Sequence, residues 1–168
     1  MSSRTGAPAT QRTYSWEDQE ATRRACLAQD GLAVLHAIGA GTLPLPPAVR
    51  TLGIEPVEAE RGRVTFRLEL RDFHLNPFGI VHGGVLAALL DTAMGCAVHS
   101  VLPPAVAYVT GELNVRFLRP AVVSGGPLVC AGEIVHQGRS AVVTSARITD
   151  AGDRVIAIAG ATCLVRRS

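Results

Sequence analysis

From Gly83 to about residue 102 the chain offers a helix that is apolar on every side except at one carboxylate, Asp91, and Pro103-Pro104 ends it. A helix hydrophobic all round has to be enclosed, so the rest of the chain must fold around it. An ionised Asp inside such a helix is expensive unless it is paired or put to use. The approach to the helix is polar and glycine-rich: Asn76-Pro77-Phe78-Gly79-Ile80-Val81-His82-Gly83-Gly84. Gly83 and Gly84 let a ligand come close to backbone N–H groups at the positive end of the helix dipole. One short segment therefore supplies a corner that polarises a carbonyl and a candidate base.

The flanking sequence says what wraps the helix. Val64, Phe66, Leu68 and Leu70 alternate with Thr65, Arg67 and Glu69, as in a half-buried strand. A partner strand at about 54–60 joins it through a hairpin near Arg61-Gly62. After the helix, strands are expected at 108–118, 128–136, 140–149 and 154–165, with turns at Ser124-Gly125-Gly126, Gln137-Gly138 and Asp150-Ala151-Gly152-Asp153. This is an α+β layout, a long helix followed by an antiparallel meander, with the sheet wrapped on the helix. Upstream, residues 1–14 read as a disordered tail. Residues 15–48 read as a helical extension, starting at a Ser15 N-cap and stopped by Gly39, Gly41, Pro44, Pro46 and Pro47. The main domain is 49–168.

Helix geometry constrains how the site is built. Gly83 and Asp91 are eight residues apart, a rise of about 12 Å and a rotation of roughly 80°. A carbonyl held by the Gly83 N–H lies beyond the roughly 3 Å reach of Asp91 in the same chain. Either the two are unrelated, or Asp91 comes from a second copy packed antiparallel about a two-fold axis.

Asn76, Gly83 and Asp91 also resemble the spacing of the hotdog-fold acyl-CoA thioesterases, specifically the PaaI-like branch. That family carries an Asn, a Gly of an His-Gly-Gly turn and a catalytic acid at these intervals. A second block, Thr110-Gly111-Glu112-Leu113-Asn114-Val115-Arg116-Phe117-Leu118-Arg119-Pro120-Ala121, resembles its next strand, where a Ser or Thr assists the acid; Thr110 matches that position. The resemblance spans roughly 50–166. It implies a hotdog fold and hydrolysis of acyl-CoA to free acid and CoA, with coenzyme A as part of the substrate and no separate cofactor. It also implies composite sites in a homodimer or a dimer of dimers.

On this reading Asp91 is a general base or a nucleophile, its pKa raised by apolar surroundings. The Gly83 N–H stabilises the oxyanion. Asn76 orients water or binds the carbonyl, and Thr110, alternating with Glu112, Asn114 and Arg116 on a polar strand face, supports the acid. His82 and Gly84 sit beside the substrate, and Arg139 or Arg116, with Arg119 as a further alternative, holds CoA phosphates.

Composition narrows the other classes. A net charge of +2 in 168 residues is no nucleic-acid footprint. Hydrophobic residues at 48% and charged residues at 18% indicate a compact core and surface to bury against further copies. Cys26, Cys96, Cys130 and Cys163 lack paired spacing, and the histidines lack ligand spacing, so no metal site is expected. No signal-like segment opens the chain, and the Asp-interrupted apolar run is a poor membrane span, so a cytoplasmic protein is expected. Two other functions remain: an acyl-CoA sensor without catalysis, and a hotdog enoyl-CoA hydratase. The latter's Asp-x-Asn-Pro-x-His pattern fails here, because Asp72, Asn76, Pro77 and His82 are wrongly spaced.

Overall fold

The computed structural model describes residues 10–167, so the expected tail at 1–14 falls mostly outside the described residues. Three short helices lead: α1 (Glu20–Ala28), α2 (Gly31–Gly39) and α3 (Pro47–Leu52). The hairpin β1 (Ile54–Glu60) and β2 (Arg63–Leu68) turns at Gly62, where φ is +78°. The long helix α4 (Gly83–His99) follows, then β3 (Val106–Phe117), β4 (Leu128–Gln137), β5 (Ala141–Thr149) and β6 (Val155–Arg167). The six strands form one antiparallel sheet in the order β1-β2-β4-β5-β6-β3, wrapped on α4. This is a hotdog fold.

Three expectations need correction. The extension is not one helix from Ser15: α1 starts at Glu20, and Asp30 caps a separate α2 by accepting the Leu32 N–H at 3.0 Å. Helix α4 ends at His99 rather than about 102, because the Ser100 hydroxyl folds back onto the Ala97 carbonyl and accepts the Gly62 N–H. The strands after α4 are not a simple meander. Only β4, β5 and β6 are sequential neighbours, while β3 crosses to the far edge and pairs with β6 from Val106↔Arg167 to Phe117↔Ala157.

Helix α4 buries Leu86, Leu89, Leu90, Ala93, Met94, Ala97 and Val98 against the sheet. The closest approach is at Gly132 of β4, where an added Cβ would lie 2.6 Å from the Ala93 backbone carbon. Only glycine lets the sheet come so near the helix. At the other end α2 seats against α4: the Gly31 N–H donates to the Leu102 carbonyl at 3.0 Å, and a Cβ there would strike the His99 carbonyl. His74, almost fully buried, fastens the loop before α4. Its Nδ1 accepts the Arg71 N–H and its Nε2 donates to the Leu52 carbonyl at the end of α3. Among the described residues no helix is long and apolar enough to cross a membrane.

Candidate active site

Strand β3 runs back along α4, so the two bring the same residues together from opposite ends. Gly83 faces Phe117, Asp91 faces Thr110, and Gly95 faces Tyr108. A β-bulge at Gly111 governs which side chains meet the helix, because pairing shifts from Thr110↔Cys163 to Glu112↔Thr162. The extra residue flips the alternation. Val106, Tyr108 and Thr110 turn inward before it, and Val115 and Phe117 turn inward after it. Thr110 therefore does not share a face with Glu112, Asn114 and Arg116, as simple alternation suggested. Arg116 is turned away from α4 and is exposed.

Asp91 accepts a hydrogen bond from the Thr110 hydroxyl at 2.9 Å through Oδ1, leaving Oδ2 available. It is half-buried rather than enclosed, on a face of α4 where Val85, Ala88 and Asp91 all stay partly exposed among the described residues. The groups behind it are held neutral. Burial pushes the Cys96 thiol up to about 12, with a further push from the Asp91 carboxylate. Burial also raises the Tyr108 phenol well above its ordinary value and lowers the His99 imidazole.

The Gly83 end forms a cleft of about 380 Å³ lined by Asn76, Ile80, Gly83, Phe117 and Arg119, among others. Gly83 lies close under the Phe117 ring: an added Cβ would sit 3.2 Å from it, so the ring would have to give way by a few tenths of an ångström. Its N–H is a first-turn donor that finds no acceptor among the described residues. Gly84 differs: its N–H donates to His82 Nδ1 at 2.9 Å, so it caps the helix rather than offering a ligand donor. That bond fixes the neutral ring's proton on Nε2, leaving exposed His82 a donor there. Asn76 Oδ1 accepts the Phe78 N–H at 2.9 Å and the Ile80 N–H at 3.4 Å, the turn role that Asn before Pro favours. Its amide nitrogen is the part left to meet a ligand.

Arg119, the further alternative, lines the cleft at the Gly83 end and donates to the Val155 carbonyl at 2.7 Å. Arg139 sits exposed in the β4–β5 turn, toward the sheet end that carries Thr110. Within one chain the structure thus unites Asp91 with Thr110, and Asn76 with Gly83, but not the two pairs with each other. The sequence reading missed Phe117; its signal was Gly111, a glycine inside a strand pattern, which marks a bulge.

Residues 78–157 match the family model described as the thioesterase superfamily. The chain is 30% identical over 117 residues to the 1,4-dihydroxy-2-naphthoyl-CoA hydrolase of Listeria monocytogenes, covering 70% of this chain and 94% of that one. Among solved structures, a phenylacetic acid degradation-related protein of Ralstonia eutropha JMP134 superposes with a TM-score of 0.71 at 30% identity. The match covers 77% of this chain and 98% of that one. Streptococcus mutans smu.793, solved with acetyl CoA bound, aligns with a TM-score of 0.63 at 28% identity, covering 68% and 91%.

Proposed function

We propose that this chain, which belongs to the thioesterase superfamily, hydrolyses acyl-CoA thioesters at two equivalent sites, each shared between two copies of itself. The observation that carries the reading is the Thr110–Asp91 hydrogen bond, on the partly exposed face of α4 and beside a strand with one edge unpaired among the described residues. A second copy with β3 paired antiparallel to β3 would set its Gly83 and Asn76 against this chain's Asp91 and Thr110. The relatives' printed activities and the acetyl CoA held by smu.793 support a CoA thioester as substrate.

The chemistry closes with these residues alone. The thioester carbonyl accepts from the Gly83 N–H of one copy, next to the Asn76 amide. Water attacks the carbonyl carbon while Asp91 Oδ2 of the other copy takes its proton, Thr110 holding Oδ1. Negative charge develops on the carbonyl oxygen, where the Gly83 N–H and helix dipole stabilise it. Collapse breaks the C–S bond, and protonated Asp91 returns the proton to the leaving CoA thiolate. Arg119 and Arg139 would supply the positive charge that its phosphates need.

The test is thiol release from a panel of aliphatic and aryl acyl-CoA esters in the presence of a chelator. Turnover that survives the chelator is expected. Tight binding of the panel without turnover would instead establish a sensor.

A further inference from the structure

The extension α1–α3 lies upstream of the family-matched residues, and with α4 and β2 it encloses a second space. Leu35, Ile38 and Leu45 line it from the extension, Phe66 from β2, and Thr92 and Cys96 from α4. It is narrow, about 50 Å³, against about 380 Å³ for the Gly83 cleft. Its walls offer almost nothing polar. Thr92 spends its hydroxyl on the Ala88 carbonyl at 2.8 Å, leaving its methyl for the cavity. The Cys96 thiol is a small apolar surface here. Glu58, the one charged lining residue, is exposed at the rim.

Thr92 follows Asp91 directly, so the cavity wall lies one residue along α4 from the carboxylate and about 100° round the helix from it. Resting on the reading above, we infer that this cavity receives the tail of a straight-chain aliphatic acyl group and that the N-terminal extension sets its maximum length. An apolar cavity needs on the order of 150 Å³ to hold a benzene ring. This one takes only a linear chain of methylenes. A thioester attacked beside Asp91 runs its acyl chain round α4 past Thr92, and Leu35, Ile38 and Leu45 form the wall that stops it. Because the wall comes from the extension, chain length is set by residues the family model does not include.

The experiment compares kcat/KM for straight-chain esters from acetyl-CoA to palmitoyl-CoA, with benzoyl-CoA as the aryl member, in wild type, Ala59→Leu and Leu45→Ala. Ala59 also lines the space, so leucine there fills it, and alanine at 45 deepens it. Relative to each protein's own acetyl-CoA value, Ala59→Leu should lose about tenfold on the longest chain that wild type accepts. That factor corresponds to about two displaced methylenes. Leu45→Ala should extend the accepted length. Superimposable profiles in folded variants with wild-type melting curves would overturn the assignment, as would a wild-type preference for benzoyl-CoA. If wild type hydrolyses none of the esters, calorimetry with S-ethyl-CoA and S-octyl-CoA thioethers separates the two ideas. Tighter octyl binding that Ala59→Leu abolishes keeps the cavity and removes only the hydrolysis; equal binding of both thioethers removes the cavity.

Discussion

Asp91 and Thr110 form a pair whose members should not be equivalent in a kinetic test. Asp91→Ala removes the group that takes the proton, and kcat should fall on the order of 10²-fold or more. Thr110→Val removes only the donor to Oδ1, so a loss of about tenfold is expected, with KM little changed. Steady-state assays of both variants, with circular dichroism to confirm folding, check the order; equal losses would contradict it. His74 gives a second residue-scale expectation. Burial holds its pKa below the ordinary 6.5, so the unfolded chain binds that proton more readily than the folded one. Its contribution to stability is complete above pH 6.5 and is lost as pH falls toward the folded value. A proton on Nδ1 would oppose the Arg71 N–H it accepts. Thermal midpoints measured from pH 7 to about pH 5 should therefore fall more steeply for wild type than for His74→Gln. His99, lowered by burial as well, leaves some of the slope in the variant.

At the scale of elements, the close seating of α4 on β4 is a packing device with a measurable cost if disturbed. Gly132→Ala drives a methyl into the Ala93 backbone, and overpacking of this kind costs about 1–3 kcal/mol. A midpoint lowered by several degrees in a thermal melt is the expected reading, with acyl-CoA specificity unmoved. The elements also divide what the sequence made legible from what it did not. The start of α4 was readable because Gly83-Gly84 after His82 is a local signal, and the strands because alternation is local too. The position of β3 was not, since periodicity says that a segment is a strand but not which edge it joins. The facing of Arg116 was lost for a different reason. Alternation was carried straight through Gly111, where one bulged residue reverses every side chain after it. The break between α1 and α2 was present as Asp30-Gly31, an N-cap followed by a glycine that touches α4, but the apolar spacing across it hid the stop.

For the whole molecule, the proposed site exists only between chains, which makes complementation the decisive measurement. Co-expressed Asp91→Ala and Asn76→Ala chains should form heterodimers carrying one intact site and one doubly damaged site. Activity well above either parent is expected; heterodimers verified by mass spectrometry that are no more active than the parents would refute the shared site, as would an active monomer.

The twelve-residue β3 at the sheet's rim has a consequence outside catalysis. A lone chain exposes Val109, Leu113 and Phe117 there, beside backbone groups that pair with no other strand among the described residues, and neither Pro nor Lys in the strand blunts it. Such a rim recruits any extended segment that meets it. On the proposed pairing, a newly made chain is adhesive until a second copy occupies that rim. Charge placed at Leu113 would slow clumping of the newborn chain and, on that same pairing, equally delay its meeting a second copy.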